Sequence, residues 1–161
     1  MSNQFIFNTP HEIGLRALYV LNANYPQKFS LERLILFDYL IIFSKDAAVG
    51  STSLHPEYPM RTIELYERRE TLSKGLLMLS SKGIIEIEFE DGISYIANTS
   101  TQWFLDGINN EYSNILKINA KLIAEAFEGQ TDIQIKQFIQ RNIDSWGSEF
   151  DTFFSNQEVQ I

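Results

Sequence analysis

The chain has 161 residues, 21 of them acidic and 13 basic, for a formal net charge of −8. Hydrophobic residues make up 44 % and aromatics 13 %, which is enough to build a core and excludes wholesale disorder. Cysteine is absent, which rules out disulfides, thiolate nucleophiles and thiolate metal sites. The surplus of carboxylates opposes the phosphate neutralisation on which non-specific nucleic-acid binding rests.

Residues 1–8 show neither a basic stretch nor a long apolar run, so they do not read as a secretory signal. Thr9-Pro10-His11-Glu12 is a helix start: Thr9 as cap, Pro10 at the first helical position, and Glu12 placed to bond back to the cap. The predicted helix runs to about Asn24, with Ile13, Ala17, Val20 and Leu21 at helical spacing, and Pro26 ends it. Ser30 caps a second helix. Leu31 to Phe43 is apolar nearly all round, interrupted by Glu32, Arg33, Asp38 and Tyr39, as a fully covered central helix would be. The longest apolar-rich run, Leu34 to Phe43, is broken by Asp38 and is well short of the roughly 20 residues a membrane span needs, so the expected location is the cytoplasm.

Asp46 to Pro59 reads as a loop, punctuated by Gly50, Ser51, Ser53, Pro56 and Pro59. A third helix is predicted from about Met60 to Lys82, with Ile63, Tyr66, Leu72, Leu76 and Leu79 inward and Gly83 as its stop. Ile85, Ile87 and Phe89 then alternate with Glu86, Glu88 and Glu90 before Asp91-Gly92 and Ile93-Ser94-Tyr95-Ile96. Alternation around Asp-Gly predicts a hairpin with a two-residue type I′ turn. Thr99 is the expected cap of one long helix to about Phe127, in which Ile108, Tyr112, Ile115, Asn119, Leu122 and Ala126 keep heptad spacing. A last amphipathic region holds Ile135, Ile139, Ile143, Trp146, Phe150 and Phe153. The expected fold class is mainly α with a small β-hairpin (α+β). A winged-helix-like unit with an N-terminal arm (1–98) would precede long amphipathic helices forming a helical extension (99–161).

Catalytic chemistry finds little support. The two histidines, His11 and His55, lie in separate segments without metal-ligand spacing, and a capping or loop role outweighs a catalytic one. Neither a nucleophile-elbow serine motif nor a glycine-rich phosphate loop occurs. Glu86, Glu88 and Glu90 fall on one strand face, where a solvated edge is a better reading than a metal cluster. The third helix carries Arg61, Arg68 and Arg69, which would contact DNA if the chain were a winged-helix transcriptional regulator. The interleaved Glu64, Glu67 and Glu70 and the acidic wing favour protein partners instead. Candidate partner-binding residues are Phe5 and Phe7 of the arm, Ile108, Tyr112, Ile115 and Leu122 of the long helix, and Trp146, Phe150 and Phe153 near the end.

Several segments together resemble a middle-component protein of the prokaryotic ABC-three-component systems. They are Asn8 to Leu18, Phe37-Asp38-Tyr39-Leu40, Ser53-Leu54-His55-Pro56, Arg61, Glu64-Leu65, Arg68-Arg69, Lys82 to Ile84, Asp91 to Tyr95 and Phe104-Leu105. The resemblance covers about residues 5 to 127. It implies an accessory subunit encoded between an ABC-type or SMC-like ATPase and a third, effector component such as a nuclease, as in Lamassu-like antiphage defence. It assigns no catalytic residues, metal or cofactor to this chain; ATP and Mg²⁺ are expected only in the partner ATPase. It further implies that DNA is met through the complex, with neither a membrane nor a small-molecule substrate as partner. The wing, Glu86 to Glu90, is more acidic than the resemblance leads one to expect, which speaks against its gripping DNA.

Overall fold

The structure, a computed structural model, describes residues 9–42 and 62–141, and for residues 62–67 and 140 the backbone alone. Its elements are α1 (Pro10–Ala23), α2 (Leu31–Ile42), α3 (Thr62–Ser81), β1 (Ile85–Glu88), β2 (Ser94–Ala97), α4 (Thr99–Asp106), α5 (Glu111–Ala126) and α6 (Asp132–Arg141). The fold is thus mainly helical with one antiparallel pair of strands.

The first two helices begin where the sequence says they should. The Thr9 hydroxyl accepts the Glu12 N–H at 3.3 Å, with Pro10 at the first helical position. The return bond expected from Glu12 is not formed. Its Oε2 is buried without a hydrogen-bond partner, and burial raises the carboxyl pKa against the pull of Arg16. Ser30 accepts the Arg33 N–H at 3.1 Å and starts α2. Every residue of α2 from Leu34 to Ile42 is buried, as a helix apolar on all sides requires. At the end of α3 the N–H of Gly83 bonds to the Ser80 carbonyl and that of Ile84 to the Leu79 carbonyl. This is a Schellman closure, with Gly83 at φ +70° supplying the left-handed residue.

The hairpin forms, but with a longer turn than the Asp-Gly signal implied. Ile85 pairs with Ala97, Ile87 with Tyr95 and Glu88 with Ser94. Continuing that register one step sets Phe89 opposite Ile93 and gives the turn three residues, Glu90, Asp91 and Gly92. Asp91 and Gly92 both have positive φ, as expected. Pairing of the buried Ile85, Tyr95 and Ala97 fixes the register, and the turn takes up the extra residue. Phe29, between α1 and α2, adds a two-bond bridge to Tyr95, donating at 2.9 Å and accepting at 2.8 Å.

The long helix expected from Thr99 is two helices. Asn98, rather than Thr99, caps α4, in a box with Thr101. Gly107 and Ile108 close it with bonds to Phe104 and Leu105. Asn110 then caps α5, exchanging bonds with Ser113. The buried side of α5 is Ser113, Leu116, Asn119, Ala120 and Ile123. Of the heptad positions, Asn119 is buried, Ile108 and Tyr112 pack at the core's edge, Ile115 and Leu122 are half-buried, and Ala126 is exposed. The face is turned because α5 packs on two helices, α1 and α2, and not along one coiled-coil partner. A continuous core joins Ile13, Leu21, Leu36, Leu72 and Ile85 to Leu116, Ile123, Ile135 and Ile139.

α1 and α3 cross at Gly14 and Gly75. A Cβ on Gly75 would stand 2.5 Å from the Pro10 carbonyl oxygen, whereas one on Gly14 would meet its nearest neighbour, Leu79, at 3.4 Å. Gly75→Ala is therefore expected to cost about 1–3 kcal/mol of overpacking, more than the roughly 1 kcal/mol alanine gains over glycine in a helix. Gly14→Ala should be neutral or mildly stabilising. Urea unfolding of both variants checks this; equal midpoints would contradict the close crossing.

Candidate docking surface

Charged side chains from three helices meet inside the protein. Arg16 of α1 donates through Nε to Asp38 Oδ1 at 2.6 Å and through Nη2 to Oδ2 at 3.3 Å. Arg68 of α3 donates through Nη1 to the same Oδ2 at 3.2 Å. Asp38 lies on α2, and Arg16 and Asp38 are 0 % and 1 % exposed. Burial alone would lower the Arg16 pKa, but the charge and hydrogen bonds of Asp38 outweigh it and raise the pKa, and the Tyr112 phenol of α5 acts in the same direction. Burial in turn pushes the Tyr112 phenol up, partly offset by Arg16. The network thus ties α1, α2 and α3 together. Closed off from solvent, Asp38 and Arg16 cannot meet a substrate.

A second set of contacts fastens α6. Arg33 pairs with Asp132 at 2.7 Å and lies over the rings of Phe29 and Phe37 at 4.8 and 5.2 Å. Phe37, Phe127 and Phe138 continue the stack edge to face.

The arginines considered for DNA are engaged within the molecule: Arg68 on Asp38, and Arg69 with Glu32. Arg61 lies outside the described residues, as do His55 and the proposed contact residues Phe5, Phe7, Trp146, Phe150 and Phe153. His11 is exposed on the first turn of α1. Glu86 and Glu90 are exposed, and Glu88 pairs with Lys28. Among the described residues no three histidine or carboxylate side chains gather as metal ligands, and no helix is long and apolar enough to cross a membrane. An open groove of about 260 Å³ runs between the α1–α2 connection (Asn24, Tyr25, Gln27) and the end of α5 with the turn after it (Lys121, Glu125, Glu128).

What the surface does offer is apolar. Ile115 and Leu122, both singled out from the sequence, flank Ile118, which is 59 % exposed. The spacing i, i+3, i+7 makes them one outward ridge on α5. Phe89, Ile93 and Trp103 are also exposed and were missed from the sequence. For Trp103 a signal existed: α4 turns Thr101 and Leu105 inward, which leaves position 103 pointing away.

One family model matches the chain, that of the ABC-three component (ABC-3C) system Middle Component 2, over residues 6–149. Comparison with curated proteins and with solved structures gave no match.

Two predictions follow from the network. Asp38→Ala leaves buried guanidinium groups without their carboxylate and should cost about 3–5 kcal/mol, read as a fall in the urea midpoint; a loss under about 1 kcal/mol would contradict it. The second concerns alkaline pH. Burial raises the phenols of Tyr19, Tyr95 and Tyr112 above their ordinary value of 10.0. The folded chain then keeps these protons longer than the unfolded chain. Stability is intact below the ordinary value and falls as pH climbs through the raised ones. Thermal melts from about pH 8 to about pH 11 should show that fall, with a shallower slope in Tyr112→Phe; an unchanged slope would contradict it.

Proposed function

The chain belongs to the Middle Component 2 family of ABC-three component systems, and we propose that within such a system it is the non-catalytic accessory subunit that bridges an SMC-like or ABC ATPase and an effector in defence against phage or plasmids. The observation that carries this reading is the family match over residues 6–149. The winged-helix-like order supports it: three helices, then the hairpin, with Phe29 bonded to β2 as the equivalent of an additional short strand. In this reading ATP and Mg²⁺ are held by the ATPase, and DNA is met through the complex.

The α5 ridge of Ile115, Ile118 and Leu122 supplies an apolar face at helix spacing for one of the partners. Arg68 and Arg69, turned to Asp38 and Glu32, favour this reading over direct groove contact. The test is co-expression of the chain with the other two components encoded with it, followed by size exclusion at low and high salt. Apolar docking should give co-elution that persists at high salt, and Ile118→Glu should weaken it without lowering the melting temperature. A chain that elutes alone, yet shifts a DNA duplex at low salt, would overturn the proposal in favour of a DNA-binding regulator.

A further inference from the structure

The hairpin carries its apolar face beyond the end of the protein's own core. Ile85, Tyr95 and Ala97 occupy the inward side and are buried, and Ile87 packs against the same core. Side chains alternate along a strand, so Phe89 and Ile93 belong to that side and, by the register, stand opposite one another. Yet Phe89 is 76 % and Ile93 56 % exposed. Two large apolar side chains thus flank the turn at the tip, both largely exposed. The positive φ values of Asp91 and Gly92 shape the turn between them.

Charge decides what can cover this pair. Glu90 and Asp91 are exposed in the turn beside it, and Glu86 is exposed farther down β1 on the other face, while Lys28 pairs with Glu88. Nucleic acid and anionic lipid are repelled by such a tip. A second copy of the chain would bring the same carboxylates against their like. A polypeptide surface with an apolar cleft and a cationic rim satisfies both features at once.

We propose that the hairpin tip is a two-residue anchor, Phe89 and Ile93, which enters an apolar cleft rimmed by lysine or arginine on another component of the same three-component system. This deepens the accessory-subunit reading and rests on it. It makes the hairpin a protein contact in its own right, separate from the α5 ridge.

The test titrates the full chain against each of the other two purified components and reads affinity and association rate. Phe89→Ser/Ile93→Ser should weaken binding to one of them by about tenfold or more, with an unchanged melting temperature because both side chains are exposed. Glu86→Lys/Glu90→Lys keeps the apolar pair and should slow association by roughly tenfold at low salt, the difference shrinking as salt rises. Wild-type binding that neither double variant changes would overturn the hairpin anchor and leave the accessory-subunit reading in place. A wild-type chain that binds neither component would overturn both.

Discussion

The shared carboxylate of Asp38 is the constraint around which this protein is arranged. One helix, otherwise apolar over nearly its whole buried length, carries a charge at its centre, and such a charge persists only where hydrogen-bonded counter-charges meet it. Arg16 grips it through two nitrogens and Arg68 through one. The planar guanidinium fork suits two-point contact with a carboxylate. An ion pair of this kind adds little net stability over apolar packing, but losing one partner is costly. Its consequence is geometric: α1, α2 and α3 have to cross where these groups can touch. Gly75 belongs to the same requirement, since a side chain there would push α3 off the start of α1.

Around this centre the described helices after the hairpin pack on those before it. α5 lies against α1 and α2, α6 against α2, and Ile123, Ile135 and Ile139 share the core with Ile13 and Leu36. The Tyr112 phenol of α5 lies within electrostatic reach of Arg16, so the polar network and the apolar core involve the same elements. The outcome is a preformed body with apolar features left on its outside, on α5 and at the hairpin tip. Such a body fits the accessory-subunit role proposed above.

How much of this could be read from the sequence depends on how local each determinant is. The start of α1 at Thr9-Pro10, the burial of α2, the glycine stop at Gly83 and the hairpin all follow from signals within a few residues. The break between α4 and α5 was less legible. Gly107 and Asn110 mark it, yet heptad-like spacing ran across it, and neighbouring Asn98 and Thr99 competed for one cap. The facing of α5 depended on which helices it meets, which no periodicity reveals. Arg16 and Asp38 are 22 residues apart and Asp38 and Arg68 are 30 apart, so nothing local announces their union. The available clue was Asp38 itself: an acid amid apolar neighbours calls for a buried partner. Alternation set Phe89 with Ile85 and Ile87, opposite the glutamates; that the core ends before reaching it, leaving it 76 % exposed, is a property of the assembled fold.

The most direct test of a preformed adaptor built around Asp38 is backbone hydrogen exchange of the chain, alone and in complex with the other two components. Already in the free chain, α1, α2 and α5 should exchange most slowly. Complex formation should leave them unchanged and add protection on the surface elements, the hairpin among them. Slow exchange in α1 and α2 that arises only when the partners are present would mean that the chain folds on binding, and would contradict the account.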